Sequence, residues 1–574
     1  LDAWARSGSL VRWAIADVPL TLPSHATLMT SIPASGHGVR TNVAYGLGDG
    51  AETLAERFRG SGFRTAAVVS TRVLRAETGI GQGFDAYDDE IATPSDPVDA
   101  ARYPPLDPGP PTARRADEAV GRALAQLDEG AAPRFLWLHL FDAHAVYDPP
   151  APWERAAPDL YHAEIAFLDG ELRRLARRLE EADLRDRVVL AVTADHGEGL
   201  EDHREAEHGL FVYDEAVRVP LLMCGAGVPR TLLDEQVRTV DLAPTLLDLA
   251  GVDAALGLGG SLLPALAGTG PVPSGTAYCE SMRPKLSHGA APLKAWRTRD
   301  TKFVWAPVPE RYDLAADPGE RVNLAAGDAA GSPDLDAARD RLAALLEAAR
   351  AAAEPAAVPL EGVDEDVEAR LASLGYAGGG AGAGRPSLAE ELARDGYDPK
   401  WIVDVAMAGR DLDVGLWEDA RRKLDRFAVT VPGPDALPEL RPLWATAHEN
   451  RGLLALHEGR PADAASEYRR ALGLSAASAA AREGRVRALV EDGRYGQAVE
   501  EADAMLALHP EDVRLRVFRA LALALSGRLD EARRAFVQLD AEGYPPEVRQ
   551  TAVFCRDRLD AGDSGELLAL LTVH

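Results

Sequence analysis

The chain has 574 residues, enough for two or three domains with cores of their own, and 46% of them are hydrophobic, an ordinary share for a globular protein. A net charge of −29 argues against nucleic acid and against an anionic membrane surface as partners. No run of about eighteen apolar residues occurs, so no transmembrane helix lies within the chain. The three cysteines, Cys224, Cys279 and Cys555, form neither a disulfide framework nor a zinc motif.

In chain order, Leu1 to Gly8 reads as helical, with Asp2 inside it, and Asp17 precedes Val18-Pro19 in an extended segment. Thr21-Leu22-Pro23-Ser24-His25 follows, ten residues upstream of the first glycine-rich turn around Ser35-Gly36-His37-Gly38. Pro23 suits a first helical turn, and the backbone N–H groups of such a turn attract an anion. A hydroxyl placed there can meet a bound oxyanion. The same pentapeptide also reads as an N-cap threonine opening an ordinary helix.

Strands are expected near residues 63–70, 134–141, 187–194 and 218–224, alternating with helices such as Ala163 to Glu181. Two of these strands run out into chemistry-bearing loops. Phe135 to Phe141 ends in Asp142-Ala143-His144, and the β-branched run Arg187 to Ala194 ends in Asp195-His196-Gly197-Glu198-Gly199. The carboxyl edge of strands is where doubly wound α/β sheets bind ligands. An adjacent Asp-His pair offers one oxygen and one nitrogen to a divalent cation, and His203 and His208 follow in an acidic loop. Of the eight histidines before residue 209, five (His139, His144, His196, His203 and His208) fall in these two segments, a concentration that scattered structural histidines would not give.

Beyond Leu266, short extended runs at 275–280, 293–296 and 302–305 predict a small antiparallel sheet, followed by an alanine-rich helix from Asp334 to Glu354 with a solvated charged face. Gly378 to Gly384 is a flexible linker. After it, Gly459-Arg460 with Ala464, Gly493-Arg494 with Ala498, and Gly527-Arg528 with Ala532 recur every 34 residues. That is the tetratricopeptide period. Tyr468 and Phe536 occupy matching large positions, Pro510 falls where a helix pair ends, and Gly415 to Ala420 resembles an earlier copy. Stacked helix pairs of this kind bury a shared core and present a concave face to a protein or peptide partner.

On these residues the chain resembles the sulfatase family within the alkaline phosphatase superfamily. Pro19 to Thr30 resembles the family's nucleophile motif; His139 to His144 with Tyr147 resembles its histidine-bearing strand end. Thr193 to Glu198, followed by His208-Gly209 and Arg218-Val219-Pro220, resembles its metal and substrate segment. Val240 to Leu247 and Tyr312 to Glu320 resemble later, structural landmarks, so that the likeness covers about residues 1 to 376. The resemblance implies an α/β fold with a doubly wound, mostly parallel, alkaline phosphatase-like sheet and a small antiparallel C-terminal subdomain, ahead of an all-α repeat solenoid. The expected domains are 1–270 (catalytic), 271–376 (C-terminal subdomain and helix), 377–400 (linker) and 401–574 (repeats).

The departures from the family pattern are informative. A true sulfatase has Cys or Ser at the nucleophile position, oxidised to formylglycine, and continues Pro-Ser-Arg. Here the positions hold Thr21 and His25, and no formylglycine is expected. Thr at this position resembles the phosphodiesterases and phosphoethanolamine transferases of the superfamily. The family's Gly-Lys-Trp-His segment is replaced by Val69-Ser70-Thr71-Arg72. The family's first strand, whose terminal aspartates complete the metal site, has no counterpart before Thr21, so the chain reads as truncated at its amino terminus.

The resemblance implies a metal-dependent hydrolase of phosphate or sulfate esters, with Thr21 attacking to form a covalent ester and phosphoesters favoured. The catalytic candidates are Thr21, Ser24, His25, His144 and His208; Asp195, His196 and Thr21 are the metal candidates, for Ca, Zn, Mn or Mg. In two-metal members, Asp142, His144 or His208 would bind a second ion instead. A phospho-substituent transferase and an incomplete domain serving as a repeat scaffold are the alternatives. Family likeness favours a periplasmic or other extracytoplasmic location.

Overall fold

The computed structural model describes residues 1–42, 45–91, 113–127, 133–145, 147–184, 187–326, 332–352, 357–359, 387–394, 396–413, 415–476, 478–510, 512–540, 546–560 and 567. They form two compact units, Leu1–Pro399 and Lys400–His574. The Gly378 to Gly384 linker lies outside the described residues.

The first unit is mixed α/β. After helix α1 (Asp2–Ser7), strand β1 (Ser9–Ile15) leads into α2 (Thr21–Thr30) and α3 (Ala34–His37). Strand β2 (Tyr45–Leu47) and helix α4 (Leu54–Gly60) follow, the latter opened by a capping box in which Thr53 and Glu56 satisfy each other's backbone N–H. Strands β3 (Arg64–Val68) and β4 (Ala86–Asp88), helix α5 (Ala116–Leu127), strand β5 (Arg134–Leu138), helix α6 (Leu160–Glu181) and strand β6 (Val189–Thr193) come next. Strand β7 (Arg218–Gly225), β8 (Thr231–Arg238) and helix α7 (Leu242–Leu249) complete this region.

Two sheets organise these strands. One has the order β6-β7-β1-β8, with β1 parallel to β8 and β7 antiparallel to both β1 and β6; the other has the order β4-β3-β5 and is parallel throughout. Only β7 runs against the rest of its sheet, so the parallel expectation holds with one reversal. Strands β1 and β8 were absent from the expected set. In β1 the alternation is broken by a register shift between Val11 and Ala14, and β8 carries Asp234 and Glu235 on an exposed face, so neither shows the apolar run of a buried strand. Strands β5 and β6 each end a sheet, and every residue of both is only half-buried.

The subdomain is an antiparallel meander of β9 (Ala277–Ser281), β10 (Leu293–Arg297), β11 (Thr301–Trp305) and β12 (Glu310–Asp313). The fourth strand adds to the three expected. Helix α8 (Pro333–Ala352) buries Leu335, Leu342 and Leu346 against Trp296 and Phe303, and strand β13 (Ala357–Pro359) pairs with β2. A short helix, α9 (Leu388–Glu391), packs Leu388 on the same cluster. Residues 387–394 therefore belong to the first unit and not to a linker running to residue 400.

The second unit is all helical, in antiparallel pairs: Val403–Asp413 with Trp417–Thr430, Arg441–His457 with Pro461–Leu474, Ala479–Glu491 with Tyr495–Leu506, and Val513–Leu525 with Leu529–Leu539. Ala420, Ala464, Ala498 and Ala532 are each fully buried early in the second helix of a pair, which is why the period shows in the sequence. Pro510 lies between pairs. The Tyr468 ring fills the space left by Gly452 and Gly484, where an added Cβ would lie 2.8 and 2.3 Å from its atoms. Gly484→Ala is expected to destabilise the helical unit by about 1–3 kcal/mol through overpacking, read as a lower urea midpoint. Gly473→Ala, whose added Cβ would meet nothing within 4 Å, is expected to be neutral or slightly stabilising.

Candidate active site

Helix α2 starts at Thr21, with Leu20 as its N-cap, so the threonine is the first helical residue and not the cap. The residue is 1% exposed, and no hydrogen bond of its hydroxyl is seen among the described residues. The first-turn backbone donors at Leu22 and Ser24 are engaged. Leu22 N–H donates to Asn42 Oδ1 at 2.9 Å, Pro23 has none, and Ser24 N–H donates to Leu20 O at 3.0 Å. Asn42 thus caps the helix from a distance, a role that nothing in its local sequence signals.

Side chains converge here from the head of α2 and the ends of β5 and β6. Ser24 Oγ donates to the Asp195 carbonyl at 2.6 Å, and His25 Nδ1 lies 3.5 Å from Asp195 Oδ2, so the head of α2 is tied to the end of β6. His139, just past β5, meets the His25 ring edge-on at 5.0 Å. His196 and His208 have ring centroids 4.1 Å apart, and His144 meets His208 at 5.1 Å. Of the predicted site residues, Ser24, His25, His144, Asp195, His196 and His208 are therefore brought together, with Thr21 one turn before His25.

The hydrogen bonds fix ring orientations. His25 Nδ1 lies 2.8 Å from the Thr21 carbonyl and His196 Nδ1 2.9 Å from the Gly197 carbonyl; a carbonyl only accepts, so both Nδ1 atoms carry hydrogen. His144 Nδ1 donates to the Ala145 carbonyl and His208 Nδ1 to Glu198 Oε1 in the same sense. His139 is reversed: its Nδ1 accepts from Ser70 N–H. Burial pushes His25, His144 and His208 below the usual imidazole range and His139 down to about 3, so these four rings are neutral at pH 7 and the first three present Nε2 as the lone-pair nitrogen. Burial would raise the Asp195 carboxyl, but His196, His25, His139 and His208 outweigh it and hold the group at about 2.

His196 Nε2 faces Asp195 Oδ2 at 3.4 Å, an arrangement that a proton on nitrogen or a cation between the two would satisfy. These two side chains have the donor chemistry for a divalent ion. Among the described residues, however, no group of three His, Cys, Asp or Glu side chains is placed to hold one. The expected set of Asp195, His196 and Thr21 is not a closed shell. Asp142 Oδ1 accepts from Ala116 N–H at the start of α5, and burial lifts the carboxyl to about 6. His203 also stands apart, stacked on Tyr213 at 3.7 Å and bonded to Glu215, which makes it structural.

Behind α2 lies a relay that sequence reading passed over. Val39 N–H donates to His37 Nδ1 at 3.1 Å, so Nε2 carries the hydrogen and donates to Thr27 Oγ1, which donates to Asp17 Oδ2 at 2.8 Å. Asp17 Oδ2 also accepts Ala34 N–H. Asp17, in the extended segment before Val18-Pro19, is the acceptor on which α2 and α3 converge.

Three family models match the chain. Residues 1–252 match the model described as Sulfatase, residues 206–347 that of N-sulphoglucosamine sulphohydrolase, C-terminal, and residues 489–551 that of a Tetratricopeptide repeat. Residues 1–347 form a sulfatase-family domain. Among curated relatives, Arylsulfatase K of Homo sapiens is 31% identical over 179 residues, covering 29% of this chain and 33% of that protein. The Delta 4,5-hexuronate-2-O-sulfatase of Bacteroides thetaiotaomicron is 32% identical over 148 residues, covering 24% and 30%. The chain thus spans about a third of the length of the curated relatives it matches. The phosphonate monoester hydrolase of Agrobacterium radiobacter aligns with 61% of this chain and 90% of its own at 21% identity, with a TM-score of 0.48.

In this sulfatase-family domain, burial, reinforced by Arg40, lowers His37 to about 3. A histidine depressed in the folded state binds its proton more readily when unfolded, so its stability contribution is lost as pH falls from about 6.5 towards about 3. In His37→Gln that loss is absent. The stability difference between wild type and variant, measured by urea unfolding, is expected to narrow across this pH window.

Proposed function

We propose that the sulfatase-family domain hydrolyses anionic esters, with Thr21 as nucleophile and phosphate esters favoured over sulfate esters. The observation that carries the reading is the convergence of His25, His139, His144, His196 and His208 with Asp195 at the head of the helix that begins with Thr21. Threonine cannot become formylglycine by the route open to cysteine or serine, which favours direct attack by a hydroxyl. Attack by Thr21 Oγ1 on phosphorus would form a covalent ester and expel the leaving alkoxide; water would then cleave that ester. Neutral imidazoles with inward lone pairs suit proton transfer, and His144 and His208 are assigned to contact the anion or protonate the leaving group. Ser24 and His25 orient the helix head against Asp195.

A divalent cation, as the family expectation has it, would be held by Asp195 and His196 and would neutralise charge on the ester oxygens. The helical repeats are assigned to a protein or peptide partner, and an extracytoplasmic location follows the family likeness.

The test compares the full-length protein with Thr21→Ala on paired aryl phosphate diester, phosphate monoester and sulfate ester substrates, with Zn, Mn, Mg or Ca added. Phosphoester turnover is expected to depend on metal and to fall by about 10³-fold or more in the variant. Turnover that survives in Thr21→Ala would remove the threonine from its role. No turnover with any substrate would favour the scaffold reading, in which the repeats do the work.

A further inference from the structure

Behind the relay that holds α2 sits a second buried cluster, made of two cations and two carboxylates. Arg40 donates to both oxygens of Glu391, Nη2 to Oε1 at 2.6 Å and Nη1 to Oε2 at 3.0 Å, and Lys294 Nζ donates to Glu391 Oε2 at 2.7 Å. The other carboxylate, Glu280, lies 3.5 Å from Arg40 Nε and accepts the Tyr278 hydroxyl at 2.6 Å. Glu280 and Glu391 are 0% and 1% exposed at the side chain, and Lys294 is 2% exposed. The charges balance two against two, and Glu391 supplies both the bidentate contact to Arg40 and the ion pair to Lys294.

Glu391 is remote in sequence from everything it touches. It stands at the end of α9, reached only after residues 360–386, and the repeat unit begins at Lys400. The surrounding segment is clamped to the subdomain. Ser387 and Glu390 form a capping box, Trp305 Nε1 donates to the Leu392 carbonyl at 2.9 Å, and Arg394 donates to the Ala306 carbonyl while lying over the Trp305 ring at 4.2 Å. These contacts aim the Glu391 carboxylate inward.

From Glu391 a continuous set of contacts runs to the nucleophile helix. Arg40 bridges Glu391 to Glu280; Glu280 N–H donates to the Asp17 carbonyl at 2.7 Å; the Asp17 carboxylate accepts Thr27 Oγ1 on α2 and Ala34 N–H on α3. We propose that residues 387–394 act as an intramolecular strap and that Glu391 is a positioning residue, holding α2 in place through Arg40, Glu280 and Asp17. Withdrawal of the strap leaves Arg40 and Lys294 buried with one carboxylate between them, a state that is relieved only by opening the region around α2 and α3 to water. The catalytic consequence rests on Thr21 being the nucleophile; the structural coupling does not.

Hydrogen–deuterium exchange on the full chain tests the coupling without reference to turnover. In Glu391→Gln, exchange in peptides covering residues 21–30 and 387–394 is expected to rise together, by on the order of 100-fold, with the helical repeats unchanged. Glu391→Asp, which keeps the charge, is expected to give a smaller rise in the same two regions, and Glu347→Gln, on the exposed face of α8, none. Arg394→Ala loosens the strap without touching the buried charges and keeps the test open if Glu391→Gln does not fold; it too is expected to raise exchange in both regions. If residues 387–394 loosen while 21–30 stay protected, the strap is a tether alone and the proposal is overturned; unchanged exchange in both regions overturns it as well. Where turnover is measurable, kcat is expected to fall in Glu391→Gln with KM little changed.

Discussion

Helix α2 is short, carries three threonines, a serine and a histidine, and is buried over nine of its ten residues. Burying that much hydrogen-bonding capacity is tolerable only if each polar atom finds a partner, and the surroundings of α2 follow from this demand. Asn42 takes a first-turn N–H, Asp17 takes the Thr27 hydroxyl, the Asp195 carbonyl takes Ser24, and Thr30 bonds back to Ala26. The hydroxyl left without a described partner belongs to Thr21. On the proposed function this is the hydroxyl that would attack the ester, and a hydroxyl already committed to a neighbour would not be available to do so.

The same constraint explains the tilt of the site towards neutral imidazoles. Burial lowers His25, His139, His144 and His208, and most rings of the cluster donate Nδ1–H to a carbonyl or carboxylate, so orientation is set from outside the cluster. The chemistry of the site resides in ring nitrogens and carboxylates, with Asp195 at the end of β6 beside His25 and His196 and Glu198 bonded to His208.

Much of this was legible in the sequence because the signals are local. The apolar runs ending in Asp142-Ala143-His144 and Asp195-His196 announced strand ends with reactive side chains, and the recurrence of Ala464, Ala498 and Ala532 announced stacked helix pairs. What escaped notice depends on partners distant in sequence. Asn42 reads as an ordinary loop residue until Leu22 is set beside it, and Asp17 gains meaning only when Thr27 and Ala34 turn towards it. Glu391 lies beyond a glycine-rich stretch that signals the end of a domain, so its return to Arg40, 351 residues away, has no signature in composition or periodicity. Strands β1 and β8 were missed because a register shift and exposed acids mask their alternation.

The helical unit carries a different lesson in the Tyr468 ring, seated where Gly452 and Gly484 both lack side chains. Three residues from three helices make one joint, and two of them must be glycine for the third to be tyrosine. At the equivalent later position the chain has Phe536, in its own setting. Repeats of equal length are therefore not equal parts: a unit cut out and grafted elsewhere in the array would bring its knob without its socket. The order of the repeats is written into the joints between them, and growth or loss of units by recombination can proceed only where a joint travels whole.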